Sequence, residues 1–116
     1  MIDHVDRQFI GSFALIQEDV YATALDHGWY SLGDPNEAER IALMHAELSE
    51  ALEALRHGNP PSEHLPDFSG VEEELADVII RIMDYAERKG FLIGQAVIAK
   101  AMFNKVRPYK HGGKKF

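Results

Sequence analysis

Apolar residues return at intervals of three and four along the first quarter of the chain. Phe9, Phe13, Ile16, Val20 and Ala24 share one helical face and predict an amphipathic helix over residues 5–27. The stretch GWYSLGDPN (28–36) breaks that pattern with two glycines and a proline. A second helix is predicted from Glu37 to Arg56, with Met44, Leu48, Ala51, Leu52 and Leu55 as its apolar stripe. HGNPPSEHLPDFSG (57–70), with three prolines and two glycines, reads as a loop. A third helix is predicted from Val71 to Lys89 and closed by Gly90. A shorter fourth runs from Leu92 to Lys105 and stops before Pro108. No segment alternates with period two for long enough to predict a strand. The expected fold is therefore all-α: one domain over residues 1–116, a four-helix bundle whose core is completed by oligomerisation.

The second and third helices carry the same pattern. An offset of 27 residues lays Met44, Leu48, Ala51, Leu52 and Leu55 over Val71, Leu75, Val78, Ile79 and Ile82. It also lays Glu47 over Glu74 and Glu50 over Asp77. Residues three apart stand about 60° apart on a helical wheel, so each acidic pair flanks its stripe on the same side. Helices packed through those stripes would bring four carboxylates to one edge of the interface. Such a group repels itself and raises its own pKa values unless a cation neutralises it. Hard divalent ions with a preference for oxygen, Mg²⁺ first and Mn²⁺ as a substitute, do this well. Either pair alone is what any solvated helix carries; the matched register points to a metal site.

The neighbouring acids read as ordinary. Glu53 lies opposite the stripe, and Glu72 and Glu73 sit in a first helical turn, where the dipole favours them. Glu73 is still within reach of the site from its flank. Arg81, four residues after Asp77, forms the spacing of a supporting ion pair and a possible substrate contact. A di-iron carboxylate bundle uses Glu-x-x-His, and no Glu or Asp stands three residues before a histidine here. The six histidines have no metal-ligand spacing.

Composition adds one asymmetry. The chain has 46% hydrophobic and 27% charged residues and a formal net charge of −7. Residues 100–116 hold six of the bases and no acid, which leaves 19 acids against six bases in the first 99, a balance of −13. No apolar run approaches the ~18 residues of a membrane span. The N-terminal MIDHVDRQF has no apolar signal core, so the expected location is the cytoplasm. The absence of cysteine excludes disulfides, thiolate metal sites and a cysteine nucleophile. Within the basic end, Lys100 and Asn104 share a helical face, and Arg107, Lys110 and His111 follow beside two glycines. Cations and exposed backbone amides next to a metal site describe a triphosphate receptor; the plainer reading is a frayed basic tail.

In the order ELSE, EELAD, KxxxN and RPYKHGGK, the chain resembles the MazG-like nucleotide pyrophosphohydrolases of the all-α NTP pyrophosphatase superfamily. The resemblance covers about residues 37–116. Glu47, Glu50, Glu74 and Asp77 match the metal-binding positions of the family pattern E-E-x-x-E…E-x-x-D, but Ala46 stands where that pattern begins with a glutamate. This departure leaves the number of bound metals open. The resemblance implies hydrolysis of a (deoxy)nucleoside triphosphate between the α- and β-phosphates, with nucleotide-pool cleansing as the role. It also implies a homodimer or homotetramer, and Lys100 and Asn104 at the phosphates or sugar. Arg107, Lys110 and His111 lie in the family's basic tail.

The expected reaction uses water activated by a carboxylate, Glu47 before Glu50, with Mg²⁺ bridging the phosphates and the cations holding the leaving pyrophosphate. Trp29 and Tyr30 are candidates for stacking on the base, and Phe68 for a lid or a loop anchor. Nothing in the sequence selects a base. Two rivals stand beside this reading. One is a dUTP or phosphoribosyl-ATP pyrophosphohydrolase with the same metal site; the other is a non-catalytic helical dimerisation module. A nucleic-acid-binding role fits poorly with the acidic body.

Overall fold

A computed structural model describes residues 2–108. Those residues form four helices, α1 (His4–Asp26), α2 (Glu37–Arg56), α3 (Gly70–Lys89) and α4 (Ile93–Lys105). There is no strand among them, only an isolated bridge between Pro61 and Ser69. Among the described residues, no helix is long and apolar enough to cross a membrane. Lys110 and His111 lie outside the described residues.

The helices begin where local chemistry satisfies their free N–H groups. Asp3 and Asp6 form a reciprocal capping box on α1, as Ser69 and Glu72 do on α3. The Asn36 side chain accepts from the backbone of Ala38 and Glu39 to open α2. α3 is the centre of the molecule. It packs most extensively against α2 and then against α1, while α4 rests on α1. Gly94 permits that last contact, since a Cβ there would stand 3.3 Å from Cβ of Phe13.

The packed faces are rotated from the predicted stripes. On α1, Gln17 and Ala24 are buried, with Phe13 and Val20 half-buried, whereas Ile16 is 53% exposed. Gln17 turns inward because its Nε2 donates to Glu87 Oε1 of α3 at 3.0 Å. On α2 the inward line is Arg40, Met44, Glu47, Ala51 and Ala54, and Leu48, Leu52 and Leu55 stand about half exposed. Leu75 and Ile79 of α3 are similarly exposed. The inward line of α2 therefore carries small and polar side chains beside Met44, while Val71, Val78 and Ile82 are half-buried on α3. Arg81 Nε donates to Glu47 Oε1 at 2.9 Å, and Arg40 meets Asp84 at 2.6 Å. Small side chains at the contact let the helices approach closely enough for these pairs to bridge them.

Candidate metal centre between the second and third helices

Glu47 is only 9% exposed and lies within the packed line of α2, one turn from Ala51. It is part of the interface, where the sequence placed it at the border. One oxygen from each of Glu47, Glu50 and Glu74 lies within 4.8 Å of the others, and the same holds for Glu73, Glu74 and Asp77. Glu74 belongs to both groups, and all five of these carboxylates line one cleft of about 590 Å³ between α2 and α3, with Glu53 at its exposed side. The four acids matched by the sequence offset line this cleft but are divided between the two groups, and Glu73 joins Glu74 and Asp77.

Their electrostatics differ. Burial, followed by hydrogen bonds with Glu50 and Glu47 and the charges of Glu50 and Asp77, pushes the Glu74 carboxyl up to about 8. Its Oε2 is buried with no hydrogen-bond partner. Burial also leads the upward shift of Asp77, assisted by the charges of Glu47 and Glu73. Burial works against the charge on Glu47 too, but the Arg81 guanidinium and the hydrogen bonds of Glu50 and Glu74 outweigh it and hold its pKa below the usual value. Arg81 thus serves Glu47 across the interface, where its spacing had suggested Asp77.

The loop before α3 contributes two groups that the sequence did not single out. The Ser62 hydroxyl donates to Glu73 Oε1, and His64 Nδ1 lies 2.9 Å from Glu73 Oε2. Ser62 and then His64 lower the Glu73 pKa, and Glu73 in turn raises that of His64. The loop is folded back by Asn59, whose Oδ1 accepts from Val71 N–H, and by the Gly70 N–H donating to Pro60 O. No short-range signal marks His64, because its partner lies beyond a proline-rich turn. Glu53 and His57 also line the cleft, while remaining largely exposed.

The donor set fits a hard divalent cation: oxygen ligands only, at least one of them buried and orphaned, and a proton held on Glu74 that positive charge would displace. Two overlapping sets could hold it, Glu47, Glu50 and Glu74 in one and Glu73, Glu74 and Asp77 in the other.

The candidate substrate residues lie elsewhere in the chain. Lys100 and Asn104 line a shallow groove on α4, and Lys100 Nζ stands 4.5 Å from the ring centroid of Phe103. The Arg107 guanidinium carbon stands 5.8 Å from the centroid of the same ring. None of the three lines the acidic cleft. Trp29 is 54% exposed and borders a separate cavity between α1 and α3; Tyr30 is buried, its hydroxyl donating to Asp84 Oδ2 at 2.9 Å. Phe68 is half exposed beside Leu65, Glu72 and Ala76. Comparison with protein-family models, with curated proteins and with solved structures finds no match.

Proposed function

We propose that the chain is a Mg²⁺-dependent hydrolase that cleaves (deoxy)nucleoside triphosphates between the α- and β-phosphates. The observation that carries this reading is the buried, unpartnered oxygen of Glu74 at the meeting point of Glu47, Glu50, Glu73 and Asp77. The likeness of ELSE, EELAD and RPYKHGGK to MazG-like enzymes supplies the reaction class.

A cation held by these carboxylates supplies charge neutralisation and polarisation for phosphoryl oxygens. The side chains do the rest. Arg81 fixes Glu47 in its charged form, so that its carboxylate can accept the proton of the attacking water. Glu50, at the exposed side, is the second acceptor within the group. As water oxygen bonds to the α-phosphorus, the bond to the bridging oxygen breaks and pyrophosphate leaves with the electron pair.

Lys100 and Asn104 would meet the phosphates from a second copy of the chain. Supporting this, the described residues leave large apolar side chains uncovered along α2 and α3. Leu48, Leu52, Leu55, Leu75 and Ile79 are all about half exposed, a surface that a homodimer or homotetramer would cover.

Hydrolysis in H₂¹⁸O tests the assignment. The label is expected in the nucleoside monophosphate, with unlabelled pyrophosphate as the other product. Release of orthophosphate, or label in the pyrophosphate, would rule out attack at the α-phosphorus.

A further inference from the structure

The cavity between α1 and α3 encloses about 340 Å³, at the lower end of the ~300–1,000 Å³ typical of small-molecule sites. Val20, Thr23, Ala24, Trp29 and Ile80 give it a mainly apolar wall, which Asp84 interrupts. Asp84 is only 2% exposed. Its Oδ2 accepts from both Tyr30 and Arg40, and its Oδ1 has no partner. A buried acceptor left unsatisfied is costly, and it marks a place for a donor. The other ionisable groups of the wall, Asp19 and His27, are exposed.

This cavity is aligned with the acidic cleft. Glu73 and Asp77 line the cleft, and Ile80 and Asp84 line the cavity. At i, i+4, i+7 and i+11 they follow one face of α3. Asp77 and Asp84 are two turns apart, about 10 Å along the axis. A nucleotide spans a comparable length from its α-phosphorus to the far edge of its base.

We propose that the cavity seats a flat heterocycle bearing an amino group, whose N–H donates to Asp84 Oδ1 while its ring lies against Trp29. The inference rests on the nucleotide reading above and narrows it: the heterocycle is the base, and bases with an exocyclic amine are preferred. Cytosine and adenine each offer such an amine to a carboxylate. In thymine and uracil the only base N–H that is not bonded to the sugar is flanked by two carbonyls, which would turn lone pairs toward Asp84. Trp29 supplies a face for stacking and is largely free of other packing.

Trp29 is the chain's one tryptophan, so its fluorescence reports on this cavity directly. Deoxycytidine, deoxyadenosine and thymidine, titrated into the millimolar range in EDTA, test base binding without phosphates or metal. Deoxycytidine and deoxyadenosine are expected to quench Trp29 with affinities about tenfold or more above that of thymidine. Asp84→Asn is expected to erase the difference. Because that change breaks the buried pair with Arg40, Val20→Phe serves as the second variant: it fills the cavity and should abolish quenching. Absence of quenching by any nucleoside, equal affinity for thymidine and deoxycytidine, or unchanged quenching in Val20→Phe would overturn the proposal. Triphosphate hydrolysis without nucleoside quenching would remove this cavity and leave the catalytic reading intact. Amine-selective quenching without hydrolysis would keep the cavity and remove the catalytic reading.

Discussion

Glu74 is where the chemistry of single residues is most exposed to test. Its carboxyl, ordinarily at 4.5, is held at about 8 by burial and by Glu50 and Glu47. The folded state therefore keeps a proton that the unfolded chain has lost, and stability must fall as pH rises between those values. Asp77 and His64, both shifted upward, act in the same direction: each contributes stability at low pH that is lost as pH climbs through its folded pKa. Glu47 and Glu73 are shifted downward and act the other way, but only below the ordinary glutamate range. Urea unfolding in EDTA is expected to show declining stability from about pH 5 to about pH 8, with a shallower decline in Glu74→Gln. Saturating Mg²⁺ should oppose the decline, since it binds the deprotonated form. A wild-type profile indistinguishable from that of Glu74→Gln would remove Glu74 as the proton holder.

Among the elements, α3 does most of the work. It carries Glu73, Glu74 and Asp77 into the cleft, Arg81 to Glu47, and Asp84 to the cavity. α4 is held by its contact with α1, where Gly94 meets Phe13. Gly94→Leu is predicted to cost about 1–3 kcal/mol by overpacking that contact. A melting temperature equal to wild type would show that α4 does not depend on it. The four helices were legible in the sequence because their signals are local: periodic apolar residues, the prolines of the 57–70 loop, and Gly90 after Lys89. The 27-residue offset likewise found the carboxylates that meet in the cleft. Rotation was legible only in part: Phe13, Val20 and Ala24 of α1 and Met44 and Ala51 of α2 turn inward as predicted, whereas Ile16, Leu48, Leu52 and Leu55 do not. Gln17 replaces Ile16 at the α1 contact because Glu87 lies opposite, and Ala51 and Ala54 lead α2 inward in place of the larger leucines. Pairs such as Ser62–Glu73 and Arg40–Asp84 depend on contacts formed only after the chain has folded back on itself.

At the scale of the whole molecule, a single chain leaves apolar residues of α2 and α3 uncovered and Lys100 away from the acidic cleft. Lys100 and Asn104 lie on α4, which packs on α1, while the cleft opens between α2 and α3. An oligomer that covers Leu48, Leu52 and Leu55 and brings α4 of one copy to the cleft of another resolves both. Co-refolding Glu47→Gln with Lys100→Ala tests this. Each variant alone is expected to be inactive, and a mixed dimer restores one intact site, giving roughly a quarter of wild-type activity. No recovery, with mixed dimers demonstrated, would place the cations and the acids in the same chain or take Lys100 out of the reaction.

The most direct test of the central claim is pyrophosphate release from a panel of deoxynucleoside triphosphates, in Mg²⁺ and in EDTA, by the wild type, Glu47→Gln and Asp77→Asn. The wild type is predicted to release pyrophosphate only with Mg²⁺, and each variant to fall by about 100-fold or more while retaining its helices. Wild-type rates in both variants, or release undiminished by EDTA, would contradict a metal-dependent site built on these carboxylates.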